Sequence, residues 1–143
     1  MSNVALAGPF VSSRVRWILW FLYVAAWSAA LLTPHPAMIA GSVIPDDTLR
    51  FITAKSLHVG AYFMLTVLTA WQRVPRPWMW LLLAFPTLHA LATEGLQNFI
   101  PLRTGTWSDV AIDHVGIALG LIVTWKWWLV SRDAQSTERS ARG

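Results

Sequence analysis

One stretch of the sequence, residues 94–120, carries several ionisable side chains between regions that are almost purely apolar. Glu94 and Gln97 are three residues apart, so they share one face if this part of the chain is helical. Asp109 and Asp113 are four residues apart and share a face of a following helix in the same way. Carboxylates held close together in an apolar environment can act as an acid and a base, or can bind a polar ligand. This stretch therefore contains the candidate site.

A second group of chemically active side chains lies earlier in the chain. Lys55, His58 and Tyr62 are spaced i, i+3 and i+7, which places them on one face of a helix. The loop PLRTGTWS, residues 101–108, adds one arginine, Arg103. If the helices are antiparallel, these side chains lie at the same level of the protein. The polar residues expected to converge are Lys55, His58, Glu94, Gln97, Arg103, Asp109, Asp113 and His114.

The composition indicates that these residues lie in a membrane protein. Of the 143 residues, 55% are hydrophobic and 13% are charged, whereas a soluble domain contains about 25% charged residues. The net charge of +4 does not indicate nucleic-acid binding, because the basic residues are scattered along the chain. The absence of cysteine excludes disulfides and thiolate chemistry.

Four apolar segments have about the length of a membrane-spanning helix, which is roughly 20 residues. The sequence thus predicts an all-α, polytopic membrane protein built as a four-transmembrane-helix bundle. Ser108 is the predicted N-cap of the last helix. The four segments are residues 17–33, 56–72, 78–93 and 108–130.

The same patterns divide the chain into three parts. Residues 1–13 are predicted to form an irregular N-terminal segment, and residues 14–130 form the membrane domain. Residues 131–143 are polar and have no apolar period, which predicts a disordered cytoplasmic tail. The first apolar segment could instead belong to a cleaved signal peptide, but no convincing pair of small residues follows it, so we favour an uncleaved helix.

The lysine and arginine residues predict the orientation. If the amino terminus is cytoplasmic, eight of the eleven lie on the cytoplasmic side, as the positive-inside rule requires. The other three, Arg50, Lys55 and Arg103, lie on the outer side. Most of the tryptophans fall at the cytoplasmic interface, where an aromatic belt is expected. Both termini are therefore predicted to be cytoplasmic, and the candidate site is predicted to face outward from a bacterial cytoplasmic membrane.

Unpaired ionisable groups are costly in the hydrocarbon region, so the polar residues should pair with one another. We expect Glu94 to pair with Lys55 or Arg103, and Asp109 or Asp113 to pair with the remaining cation. No metal site or other cofactor is predicted, because the adjacent Asp113 and His114 diverge by about 100° on a helix.

The spacing of these residues resembles that of the VanZ-like family of small membrane proteins. The family pattern is similar to K-x-x-H-x-x-x-Y, then E-x-x-Q-x-x-x-P-x-R, then S-D-x-x-x-N-x-x-G-x-x-x-G. Two positions depart from it: Ala54 replaces a frequent acidic residue, and Asp113 replaces the usual asparagine. The matching residues are Lys55, His58, Tyr62, Glu94, Gln97, Pro101, Arg103, Ser108, Asp109, Gly116 and Gly120.

The resemblance implies a protein of the cell envelope that is linked to teicoplanin resistance. We expect an outward-facing site that binds an anionic or zwitterionic lipid headgroup, a cell-wall precursor or a glycopeptide. The expected ligand-binding residues are Lys55, His58, Glu94, Gln97, Arg103, Asp109 and Asp113.

The residues are also compatible with two other functions. The protein could be a membrane enzyme that acts on a lipid-linked or phospholipid substrate, with Glu94, Asp109 and His58 as catalytic candidates. The chain contains none of the usual catalytic motifs, such as H-E-x-x-H or G-x-S-x-G. Alternatively, the polar cluster could only hold the helices together, as Gly116 and Gly120 are expected to do through close packing.

Overall fold

The computed structural model describes residues 11–34, 44, 46–72, 74, 76–101 and 103–140, with only the backbone given for 76, 77 and 126–140. This part of the chain contains four helices and no strand, so the predicted all-α fold is confirmed. The helices are α1 (Ser13–Leu32), α2 (Asp47–Ala70), α3 (Arg76–Gln97) and α4 (Trp107–Ser140).

Each helix contains a segment that is long and apolar enough to cross a bilayer. Large apolar side chains are exposed on all four helices, among them Phe21, Phe51, Trp80 and Ile122. A soluble protein rarely exposes so much contiguous apolar surface, whereas lipid is a suitable environment for it. The chain is thus a multi-pass membrane protein.

The first two helices begin at capped residues. Ser12 caps α1 and its side chain accepts a hydrogen bond from the Val15 amide at 3.3 Å. Asp46 caps α2 through the Leu49 amide at 2.6 Å, so this helix starts nine residues before the predicted position. The prediction was wrong here because it began at the first long apolar run and overlooked the capping aspartate. Residues 1–10 of the predicted irregular segment lie outside the described residues.

The last two helices are joined by a short turn, as the sequence predicts. α3 continues through the buried Pro86 to Gln97, which places Glu94 in its last turn. α4 starts at Trp107, and the Thr106 hydroxyl accepts a hydrogen bond from the Asp109 amide at 3.2 Å. Thr106 therefore caps α4 in place of the predicted Ser108.

α4 also extends further than predicted. It continues to Ser140, so residues 131–140 are helical where the composition predicts a disordered tail. No proline or glycine interrupts the sequence between Gly120 and Gly143, so the helix propagates beyond its apolar part once it has formed. Residues 141–143 lie outside the described part of the chain.

α2 and α4 make the most extensive contact between any two of these helices. A side chain at Gly116 would collide with the Val59 carbonyl oxygen, and one at Gly120 would lie 2.7 Å from Cβ of Thr66. The two glycines thus allow the backbones to approach closely, which confirms the predicted packing role.

α1 is joined to the other helices by polar as well as apolar contacts. Its Trp20 ring nitrogen donates to the Thr69 hydroxyl at 2.9 Å, and its Tyr23 hydroxyl donates to the Ala61 carbonyl at 2.9 Å. Such bonds orient α1 against α2, since both groups would otherwise lack partners in the hydrocarbon region. The central apolar core consists of Leu31, Tyr62, Leu65, Ala90 and Ile117.

Candidate functional site

The predicted polar residues meet at the end of the bundle where α3 ends and α4 begins. Lys55 on α2 forms an ion pair with Asp109 in the first turn of α4. Both side chains are partly shielded, being 26% and 16% exposed. This ion pair is one of the predicted pairings, and it neutralises the positive charge of Lys55.

His58 and Asp113 form a second pair, one turn deeper along the same two helices. His58 Nδ1 lies 2.8 Å from Asp113 Oδ1. The Asp113 side chain is only 1% exposed, and its other oxygen, Oδ2, has no hydrogen-bond partner among the described residues. The Trp27 ring packs edge-on against His58, with centroids 5.7 Å apart. One carboxylate oxygen is therefore buried without compensation.

Glu94 is buried, at 5% exposure, and lies near the same pair. Its Oε2 accepts a hydrogen bond from the Thr106 backbone amide at 2.8 Å. The predicted ion pair of Glu94 with Lys55 or Arg103 is wrong, because no cation contacts this carboxylate in the described part of the chain. The amide at the start of α4 stabilises the negative charge instead, as donors at a helix N-terminus commonly do.

Gln97 and Arg103 bind α1 and not the carboxylates. The Gln97 side chain donates to the Leu31 carbonyl at 3.3 Å. The Arg103 guanidinium donates to the carbonyls of Thr33 and Ala30 at 3.2 and 3.3 Å. These carbonyls lie at the end of α1, where no further helical amide is available to donate to them. The arginine therefore caps this helix. Burial lowers the pKa of Arg103, although the nearby negative charges of Glu94 and Asp109 act in the opposite direction.

Three side chains are close enough to share one cation. A ring nitrogen of His58 and one carboxylate oxygen each of Glu94 and Asp113 all lie within 4.8 Å of one another. With Lys55 already paired to Asp109, no lysine or arginine of the described residues forms an ion pair with Glu94 or Asp113. The prediction of no metal site depended on the adjacent Asp113 and His114 alone, and His114 instead contacts the Val110 carbonyl of its own helix at 2.7 Å.

A partly open cavity of about 170 Å³ lies beside Glu94, between the end of α3 and the start of α4. Its wall combines one carboxylate, polar amide and hydroxyl groups, and apolar side chains. Trp107, one of the lining residues, is 81% exposed. The lining residues are Leu91, Glu94, Gly95, Asn98, Gly105, Thr106, Trp107 and Val110.

The loop residues that shape this cavity were not predicted from the sequence. Asn98 accepts a hydrogen bond from the Gly105 amide at 3.1 Å and donates to the Glu94 carbonyl at 3.3 Å. A side chain at Gly105 would collide with that same carbonyl, so the loop packs closely against the end of α3. A signal was present, because T-x-x-D at Thr106 to Asp109 is a capping pattern.

The site thus combines a buried His–Asp pair, a buried glutamate and an adjoining cavity within a four-helix membrane bundle. The chain matches no protein-family model, and comparisons with curated proteins and with solved structures find no match either. The function is therefore argued from the geometry of the site.

Proposed function

We propose that the protein is a VanZ-like membrane protein of the bacterial cytoplasmic membrane that binds the polar head of a lipid or lipid-linked cell-wall precursor. The observation that carries this proposal is the cavity of about 170 Å³ with the buried Glu94 carboxylate in its wall. A cluster that only held helices together would be closed and fully paired, whereas this one adjoins an open space.

The position of the cavity supports a lipid ligand. It lies where one helix ends and the next begins, and the exposed Trp107 lines it. Tryptophan is enriched where headgroups meet the hydrocarbon region. A headgroup can therefore enter the cavity while its acyl chains remain among the lipid-facing side chains.

The charges support a zwitterionic headgroup over an anionic one. Lys55 is paired with Asp109, the Arg103 guanidinium donates to two carbonyls of α1, and neither residue lines the cavity. The one ionisable side chain among the lining residues is that of Glu94. A carboxylate of this kind recognises an ammonium group or the hydroxyl and amide donors of a sugar or peptide.

The volume limits the part of the ligand that is bound. Pockets that enclose drug-sized molecules measure roughly 300–1,000 Å³, and this cavity measures about 170 Å³. It accommodates a small polar group but not a whole glycopeptide. A link to teicoplanin resistance would then act through binding of a lipid or precursor headgroup, with the site facing outward as the positive-inside rule predicts.

The experiment measures lipid retention by the purified protein in nanodiscs that contain phosphatidylethanolamine and phosphatidylglycerol. We expect the wild type to retain phosphatidylethanolamine preferentially, as observed by native mass spectrometry. Glu94→Gln removes the charge at nearly constant volume and should reduce this preference at least about tenfold, equivalent to roughly 1.4 kcal/mol.

Two matched controls separate the cavity from general effects. Asp47→Asn changes an exposed carboxylate elsewhere on the protein, and Trp78→Ala removes an exposed tryptophan at the opposite end of the bundle. Both should retain lipid as the wild type does, whereas Trp107→Ala should not. Equal retention by all variants would refute the proposal, and teicoplanin susceptibility of cells that express them tests the link to resistance.

A membrane enzyme is the second candidate, favoured by the 2.8 Å contact between His58 and Asp113 next to Glu94. Such a pair can move a proton during attack on a lipid-linked substrate. Arg103, an expected ligand-binding residue, does not line the cavity, and its guanidinium donates to carbonyls of α1. Turnover of a lipid phosphate that is lost in His58→Gln would favour this function over binding alone.

A further inference from the structure

The set of His58, Glu94 and Asp113 differs from the cavity in its chemistry. Its members come from α2, α3 and α4, and each offers one ligand atom within 4.8 Å of the others. We propose that these three side chains bind a divalent transition-metal ion such as Zn²⁺. This inference does not rest on the proposed headgroup function, because His58 and Asp113 do not line the cavity.

The spacing of the three side chains is close to that of metal ligands. Two ligand atoms at about 2.1 Å from Zn²⁺ in a tetrahedral site lie about 3.4 Å apart. Neighbouring ligands in an octahedral site lie about 3.0 Å apart. His58 Nδ1 and Asp113 Oδ1 are 2.8 Å apart, and the widest separation in the set is within 4.8 Å. Side-chain shifts of about 1 Å therefore complete a three-residue site.

The second argument is the unsatisfied oxygen of Asp113. Its side chain is 1% exposed, yet Oδ2 has no hydrogen-bond partner within the described ranges. A buried carboxylate oxygen normally accepts at least one hydrogen bond, or it coordinates a metal. A bound cation would supply the missing partner.

The third argument is the charge balance of the cluster. Lys55 neutralises Asp109, and no lysine or arginine among the described residues pairs with Glu94 or Asp113. Two negative charges in a membrane-embedded bundle require compensation. One divalent cation neutralises both carboxylates at once, whereas protons must be taken up at two separate groups of the cluster to do the same.

The donor set indicates which metals fit. One imidazole and two carboxylates offer nitrogen and oxygen but no sulfur, which suits Zn²⁺, Mn²⁺ or Fe²⁺ more than Cu⁺ or a cluster. Three protein ligands leave at least one position for water or another small ligand. Because Glu94 also lines the cavity, a bound ion would lie at its border.

The test uses full-length protein that is purified with a chelator and reconstituted in nanodiscs. Zn²⁺ is added in competition with a chromophoric chelator. We expect one saturable equivalent for the wild type, and at least about tenfold weaker binding for His58→Gln and Asp113→Asn. The amide that Asp113→Asn introduces can still hydrogen-bond the His58 ring, so this variant should retain the fold.

Three variants serve as controls. His114→Gln removes a neighbouring histidine outside the set, Asp47→Asn removes an exposed carboxylate, and Trp107→Ala alters the cavity alone. All three should bind one equivalent as the wild type does. Loss of lipid retention in Trp107→Ala with intact metal binding would separate the two sites, so each proposal can fail without the other.

A spectroscopic measurement covers the case in which a variant does not fold. In the Mn²⁺-loaded wild type, electron spin echo spectra should show coupling to one histidine nitrogen, and the coupling should persist in His114→Gln. Absence of saturable binding by the wild type, absence of nitrogen coupling, or wild-type affinity in folded His58→Gln and Asp113→Asn would each overturn the proposal.

Discussion

The Tyr62 hydroxyl lies 3.0 Å from Nδ1 of His89, and the other nitrogen of the same ring lies 2.9 Å from the Ser28 hydroxyl. A single imidazole thus joins α1, α2 and α3 in the interior of the bundle. Tyr62 is also 3.2 Å from the Thr93 hydroxyl. This network gives both ring nitrogens a partner, which explains why the histidine in mid-span is tolerated among apolar residues.

Replacement of His89 by phenylalanine should therefore destabilise the protein. The change leaves the hydroxyls of Tyr62 and Ser28 without their ring partner, at a cost of roughly 1–3 kcal/mol in the free energy of unfolding. Denaturant titration in detergent micelles, followed by circular dichroism, measures this effect. His114→Phe is the matched control and should change stability little, since the hydrogen bond of His114 within the described ranges is to the Val110 carbonyl of its own helix. Equal losses in the two variants would contradict the role given to this network.

Substitution of Gly116 by alanine should weaken the contact between α2 and α4. The added methyl group meets the Val59 carbonyl oxygen, which is backbone and cannot rotate away. Overpacking of this kind costs roughly 1–3 kcal/mol in the free energy of unfolding, which thermal unfolding in nanodiscs would detect.

Gly60 provides an internal control for that experiment. It lies on α2, and a side chain there would meet nothing within 4 Å. Gly60→Ala should leave stability unchanged or increase it by up to about 1 kcal/mol, because alanine favours helix more than glycine does. Destabilisation by Gly60→Ala as large as that by Gly116→Ala would show that helix contact is not the cause.

The Lys55–Asp109 ion pair should show strong coupling in a double-mutant cycle. Lys55→Met leaves the Asp109 charge uncompensated, and Asp109→Asn does the same to the lysine. Since the side chains are 26% and 16% exposed, we expect each single change to cost roughly 1–3 kcal/mol, less than for a fully buried pair. The double variant should be more stable than the sum of the single effects predicts. Additive losses would mean that the two charges do not interact.

Arg103 should stabilise the end of α1 and not a ligand. Arg103→Met removes the donors to the Ala30 and Thr33 carbonyls, which should cost roughly 1–3 kcal/mol in the free energy of unfolding. Lysine at this position keeps the charge but lacks the planar guanidinium with its several N–H donors. Arg103→Lys should therefore restore only part of the stability. Lipid retention should stay at the wild-type level in folded Arg103→Met. Selective loss of lipid without loss of stability would assign the arginine to the binding site instead.

Much of the fold follows from the sequence because lipid imposes simple requirements. Apolar runs of sufficient length gave the four helices, and helical spacing correctly placed Lys55, His58 and Tyr62 on one inward face. The glycine pair was predictable as well, since small residues four apart usually mark a close helix contact. Helix ends were less predictable, because Asp46 and Thr106 act through local hydrogen bonds outside the apolar runs.

The pairing within the site could not be derived in this way. Spacing fixes the level and the face of a residue, but not the rotation of one helix about its axis relative to another. A small rotation decides whether Glu94 meets a cation or the Thr106 amide, and the latter is found. The meeting of His58, Glu94 and Asp113 likewise depends on three helices at once, so no pair of positions in the sequence indicates it.

The length of α4 has a mechanical consequence. The predicted span in α4 ends at residue 130, and residues 131–140 continue the same helix for about 15 Å. Because this extension is polar in sequence, we expect it to lie outside the bilayer as a stiff rod. A tilt of a few degrees where α4 crosses α2 would be magnified at its far end, so a fluorescent probe attached at Ser140 could report events at the opposite side of the membrane.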